Sequence, residues 1–155
     1  MRAIVQRVSL GSVRVDGLEV GRCGRGLLLL VGVHRDDTTA KAEKLAEKIV
    51  HLRIFSDSEG RMNLALVDFP GQDTEGPAYD LEILAVSNFT VYGNTASSRR
   101  PSYTDSAPYD TAKDLFDHFV TAMRTRNISV QTGVFGANME VSLINDGPVT
   151  VIVDV

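Results

Sequence analysis

The chain has 155 residues, 43% of them hydrophobic and 23% charged, and 16 basic against 20 acidic side chains leave a net charge of −4. This is ordinary globular composition and excludes a disordered or fibrous chain. A single domain of this length buries about 68–70% of its unfolded surface, enough for one sizeable core. No apolar run approaches the roughly 20 residues of a membrane-spanning helix; the longest, Leu27–Val31, reads as a buried strand. A lone cysteine, Cys23, excludes an internal disulfide framework and a cysteine-rich zinc site. Met1–Arg7 enters strand pattern directly, without the apolar core of a signal peptide, which points to a cytoplasmic protein. Net acidity argues against indiscriminate nucleic-acid binding, yet 12 of the 16 basic residues are arginines, which suit bidentate phosphate contacts.

In chain order, Ala3–Val8 carries the Val and Ile of a strand, and Val13–Val20 folds back at Asp16-Gly17 as a tight hairpin. A glycine-rich connector, Gly21–Gly26, precedes Leu27–Val33, which is apolar on both faces and therefore central in a sheet. Asp36–Thr39 offers caps for a helix running to about Arg53, with Ala42, Leu45, Ala46, Ile49 and Leu52 on one face. Asp57–Gly60 is a turn, Asp68–Asp80 a polar loop, and Leu81–Val86 another strand. A second helix opens near Ser106-Ala107-Pro108, with a core stripe of Ala112, Leu115, Phe116, Phe119, Val120 and Met123. Arg124 and Arg126 then fall in its last turn, where cations interact favourably with the helix dipole. Two final strands, Met139–Ile144 and Val149–Val153, are expected on either side of Asn145–Pro148. Clustered strands with two main helices predict a single α+β domain over residues 1–155, with a mostly antiparallel, barrel-like sheet.

Common catalytic signatures are missing. The sequence has no phosphate-binding Gly-x-x-x-x-Gly-Lys-Ser/Thr loop, no His-Glu-x-x-His and no Gly-x-Ser-x-Gly. His34, His51 and His118 lack metal-ligand spacing, so neither a metal nor another cofactor is expected. Cys23, between Arg22 and Gly24, has arginines nearby that favour a thiolate but no base partner, and reads as a passive small residue.

Two segments are more elaborate than their positions require. Ser87-Asn88-Phe89-Thr90 ends a buried strand and leads through Val91-Tyr92-Gly93 to Arg99-Arg100-Pro101-Ser102. Asn145–Thr150 sits between two apolar runs. Taken singly, the first fits a hydroxyl-closed turn and the second a hairpin turn.

Taken together and in this order, with Met1–Val8, Gly60–Leu64 and Phe135–Met139, these segments resemble the D-aminoacyl-tRNA deacylase family over nearly the whole chain. The resemblance implies a homodimeric hydrolase that cleaves the ester joining a D-amino acid, or glycine, to the terminal adenosine of tRNA. It assigns catalysis to Ser87, Phe89 and Thr90, the N–H groups of Phe89 and Thr90 holding the developing oxyanion. It assigns substrate binding and chiral selection to Asn88, Asn145, Gly147 and Pro148, the Gly147-Pro148 peptide being cis and inserted into the partner subunit's site. Arg99 and Arg100 are its candidate RNA contacts.

An aminoacyl ester is already activated, so positioning and oxyanion stabilisation suffice without a strong nucleophile. Thr90 as a covalent nucleophile is the alternative, but the sequence offers it no base. Two other readings are a related deacylase with a trans Gly-Pro that clears L-alanyl-tRNA, and a non-catalytic binder of RNA ends. The chain also departs from the family pattern. Asn88 stands where Gln is usual, Ser97-Ser98 where Lys-Gly is common, and Asp68–Asp80 is longer than in compact members.

Overall fold

A computed structural model describes residues 1–69 and 81–155. It begins with one long strand, β1 (Arg2–Val15), on which the sheet is organised. β2 (Leu18–Cys23) and β3 (Gly26–Gly32) follow, then helix α1 (Thr39–Val50). A small hairpin, β4 (Phe55–Ser56) and β5 (Met62–Leu64), flanks the expected turn at Asp57–Gly60. The chain continues as β6 (Glu82–Ser87), helix α2 (Tyr109–Arg124), β7 (Ser129–Thr132) and β8 (Glu140–Asp154).

The main sheet runs β2-β1-β3-β6-β7, with β8 on the remaining edge of β1. β1 pairs antiparallel with β2, β3 and β8, while β3–β6 and β6–β7 are parallel. The sheet is therefore mixed. Parallel neighbours need long crossovers, and α1 and α2 lie within those two connections.

Both helices cover one face of the sheet, where Ala3, Val5, Leu27, Leu29, Ile83 and Ala85 meet Leu45, Ile49, Phe116, Phe119 and Met123. The opposite face folds over a smaller core of Val8, Val13, Cys23, Leu28, Leu84 and Val86. Leu27–Leu29 are fully buried, as a central strand apolar on both faces requires.

The helices differ from expectation only at their ends. α1 stops at Val50, so Leu52 packs half-buried just beyond it, and α2 begins after Pro108 rather than at Ser106. Other differences are larger. β1 continues through Ser9–Ser12, where a break was expected, because β8 pairs with it over its whole length. The short strands β4, β5 and β7 have too few apolar residues to register as a pattern; β7 buries Val130 alone. The loop expected at Asp68–Asp80 starts as a 3₁₀ turn, Leu66–Asp68, and its residues 70–80 lie outside the described ones.

Asn145–Pro148 is not a hairpin turn. β8 runs through it as one strand, and both flanks pair with β1. Asn145 lies opposite Val8 and Thr150 opposite Gln6, so residues 146–149 stand out of the ladder as a wide bulge.

β3 and β6 approach too closely for a side chain at one point. Gly26, opposite Glu82, has φ 157°, and a Cβ there would lie 1.9 Å from the Glu82 carbonyl oxygen. Gly26→Ala should therefore lower stability by about 1–3 kcal/mol, the usual cost of overpacking. An unchanged urea midpoint would show that the strands can separate freely here.

Candidate active site

β3 and β6 run parallel and end together, with Val31 opposite Ser87. The carboxyl ends of adjacent parallel strands are a common place for a ligand crevice. Here they open into a cavity of about 480 Å³, walled by Leu30, Val31, Val86, Ser87, Asn88 and Phe89. Tyr109 and Ala112 of α2 close a second side, and Phe135–Ala137 with Met139 close a third. That volume falls within the range of small-molecule sites, roughly 300–1,000 Å³.

Past Ser87 the Asn88 N–H still donates to the Val31 carbonyl at 2.8 Å. The chain then tightens into a 3₁₀ turn, Phe89–Tyr92, which Asn88 caps. The Asn88 Oδ1 accepts from both the N–H of Thr90 (3.1 Å) and its hydroxyl (2.5 Å). On the other side of that peptide, the Phe89 carbonyl accepts from the Ser106 hydroxyl at 3.0 Å. The Phe89–Thr90 peptide is thus pinned from both ends. The preceding N–H, on Phe89, has no acceptor among the described residues.

These contacts define what each residue can do. The Phe89 N–H is an open donor on a residue that lines the cavity. The Thr90 N–H becomes available only by leaving Asn88. Thr90 does not line the cavity, and its hydroxyl donates to an amide oxygen that cannot serve as a general base. Ser106 went unnoticed as a site residue, since in sequence it reads only as a helix-start signal. The Phe89 ring is 60% exposed and meets Tyr103 edge-on at 5.1 Å, beside the loop that carries Arg99 and Arg100. Reciprocal 2.9 Å bonds between Asn94 and Ser102 close this loop. Both arginines are exposed and have no acidic partner among the described residues.

The second segment lies elsewhere. None of Asn145, Gly147 and Pro148 lines the cavity of its own chain. Gly147 and Pro148 are exposed on the β8 bulge, joined by a cis peptide. Gly147 has φ 125°, and a Cβ there would press on Val149 at 2.7 Å and on the Arg7 guanidinium at 3.1 Å. Arg7 Nη1 donates to the Ile54 carbonyl at 2.6 Å. Its Nε approaches Asp146 to 3.1 Å, an ion pair by distance that leaves the Nε–H without a well-directed acceptor. The Asn145 amide donates to the carbonyls of Arg7 (2.9 Å) and Val149 (3.1 Å).

No cluster of His, Cys, Asp and Glu among the described residues could hold a metal ion. His118 bridges to Glu43 of α1 at 2.9 Å and His34 lies edge-on to Tyr92, so neither faces the cavity.

A mostly apolar cavity with an open backbone donor at paired strand ends could receive and polarise a small ligand's carbonyl. The chain belongs to the D-Tyr-tRNA(Tyr) deacylase family, whose model matches residues 4–154. It is 50% identical to a D-aminoacyl-tRNA deacylase of Thermosipho africanus over 154 residues, covering 99% of this chain and 97% of that one. The corresponding protein of Carboxydothermus hydrogenoformans is 48% identical over 155 residues, with both chains fully covered. Among solved structures, a c-Myc DNA Unwinding Element Binding Protein superposes with a TM-score of 0.86 at 30% identity, covering 100% of this chain and 99% of that one.

Cys23 takes no part in this site. It is fully buried, and burial together with the nearby Glu82 carboxylate pushes its thiol up to about 11. At pH 8 only about one thiol in a thousand is then ionised. Iodoacetamide should leave the folded protein unmodified and label it once urea unfolds it. Rapid labelling of the native protein would contradict this burial.

Proposed function

We propose that this chain hydrolyses the ester bond of D-aminoacyl-tRNA, releasing the free D-amino acid and tRNA. The observation that carries the reading is the unengaged Phe89 N–H on a residue lining the cavity, within a segment that matches the family's motif. The aminoacyl group enters with its carbonyl oxygen toward this donor. As the tetrahedral intermediate forms, the Thr90 N–H passes from Asn88 Oδ1 to the oxyanion as a second donor. Preorganised donors of this kind are each worth about 10²–10³ in rate. The α-ammonium withdraws electrons from the ester, and the neighbouring ribose 2′-hydroxyl of the RNA helps activate water. No side-chain base is required, and Ser87 and Thr90 serve to shape and hold the turn.

Chiral selection is assigned to Gly147-Pro148 of a second subunit. Two observations support a homodimer. The bulge is exposed and remote from its own chain's cavity. Along the same ladder, the pairs Ile4–Ile152 and Leu10–Ile144 flank the bulge on either side and leave Ile152 64% and Ile144 58% exposed, apolar side chains that a second copy can cover. The inserted segment faces the substrate's α-carbon, so an L side chain collides while a D side chain points out. Glycine has no side chain to reject, which makes glycyl-tRNA, including glycine mischarged on tRNA-Ala, a further substrate. Arg99 and Arg100 contact the phosphates of the tRNA 3′ end, and the reaction belongs to the cytoplasm.

Steady-state deacylation of D-tyrosyl-tRNA beside L-tyrosyl-tRNA tests the activity. D-Tyrosine should be released and the L-ester spared; equal rates would remove the chiral filter, and no release would remove the hydrolase. In the same assay Thr90→Val should lower kcat less than about tenfold. Losing a true nucleophile costs on the order of 10⁶ in a hydrolase built around one, and a fall of that size would restore Thr90 to that role.

The dimer has its own test. Ile152→Asp places a charge in the proposed interface and should give a folded monomer by light scattering, without D-tyrosyl-tRNA turnover. A fully active monomer would overturn the shared site.

A further inference from the structure

The bulge on β8 leaves four consecutive residues, 146–149, without ladder partners between the pairs Val8–Asn145 and Gln6–Thr150. Such a loop has backbone freedom unless something closes its base. One side chain does. The Asn145 Nδ2 carries two hydrogens, and both are used across the mouth of the bulge. One goes to the Arg7 carbonyl on β1 at 2.9 Å, the other to the Val149 carbonyl at the far end of the loop at 3.1 Å. Both bonds are partly buried and both acceptors belong to the backbone, so the amide ties loop start, loop end and neighbouring strand together.

We infer that Asn145 is a positioning residue for chiral selection, fixing Gly147-Pro148 from behind and touching no substrate. The inference rests on the reading that this segment completes the partner's cavity, and it changes the role the family resemblance gave Asn145. With both donors spent inside its own chain, the amide has none left for an aminoacyl group. The residue type follows from the geometry. An aspartate has the same shape but at neutral pH offers only acceptors, which would face two carbonyl oxygens. A glutamine adds a methylene that the 2.9 Å and 3.1 Å spans do not accommodate. The Arg7–Asp146 ion pair steadies the next residue, but Asp146 is 45% exposed and its partner's Nε–H is poorly directed, so the amide is the tighter tie.

The experiment compares Asn145→Asp, Asn145→Ala and Pro148→Ala with the unmodified dimer. It measures kcat and KM for D-tyrosyl-tRNA and L-tyrosyl-tRNA, with dimer mass checked by light scattering. For Asn145→Asp the D-over-L ratio of kcat/KM should fall about tenfold, the scale set by losing two backbone-directed hydrogen bonds. KM for D-tyrosyl-tRNA should stay within about twofold, because no substrate contact is removed. Asn145→Ala deletes the donors without introducing a charge, should narrow the ratio similarly, and decides the matter if the aspartate variant does not dimerise. A narrowed ratio for Pro148→Ala with an unchanged one for both Asn145 variants would overturn the positioning role alone. An unchanged ratio in all three variants would overturn it together with the chiral role of Gly147-Pro148. A raised KM with an unchanged ratio would make Asn145 a substrate contact, which also overturns it.

Discussion

The change of partners along β1 is the constraint on which the rest of the structure depends. Its first half lies between β3 and β8, and its second half between β2 and β8. Val8 is where the change occurs. It is the last residue paired with β3, and Gly11 is the first paired with β2. The strand also changes cores there, since Ala3 and Val5 pack under the helices while Val8 and Val13 pack in the smaller core on the opposite face. β8 follows β1 around this corner and must absorb the mismatch. It does so at Asn145, directly opposite Val8. The exposed Gly147-Pro148 bulge is therefore a consequence of how β1 joins two cores, and its place is as fixed as the corner.

The same arithmetic of faces explains which features could be read from the residues. Strands with a clear buried side were visible, and so were the two helices, whose stripes at Ala42–Ile49 and Leu115–Met123 recur with a helix period. β1 looked broken because Ser9, Gly11 and Ser12 carry little strand propensity and its burial pattern slips phase as it passes from one core to the other. The continuity of β8 was hidden for a related reason. Asn-Asp-Gly-Pro is the composition of a turn, and only the pairing of both flanks with one strand makes it a bulge. Parallel pairing of β3 with β6 and of β6 with β7 was not legible either, because it is set by the two helical crossovers and not by any local pattern.

The candidate site was legible in part. Three motif residues, Ser87, Asn88 and Phe89, fall on the cavity wall, while Asn145, Gly147 and Pro148 lie on a different edge of the molecule. Ser106 escaped notice because its task, holding the Phe89 carbonyl, depends on a contact seventeen residues away. On the proposed mechanism the chemistry rests on peptide N–H groups, which have no side-chain signature to find. A pinned peptide supplies the donors in that mechanism, and the substrate brings its own activation.

That dependence on peptide geometry gives one methylene unusual weight. A side-chain carbonyl two bonds from Cα, as in Asn, closes readily onto the N–H two residues later, the ring size of an Asx turn. Gln, with one more carbon, is a poor fit to that ring and leaves the N–H freer. With Asn88, this chain keeps the Thr90 donor satisfied at rest and the Phe89 donor open. The resting turn gains order from its cap, and the Thr90 N–H must give up that bond before it can reach an oxyanion. The exchange is favourable when the new acceptor carries charge, because hydrogen bonds to ionised groups are about twice as strong as those between neutral groups. A neutral ester carbonyl offers no such gain. On the proposed mechanism, Asn88 would bias the second donor toward the transition state and away from the bound ester, which is the distinction that catalysis requires.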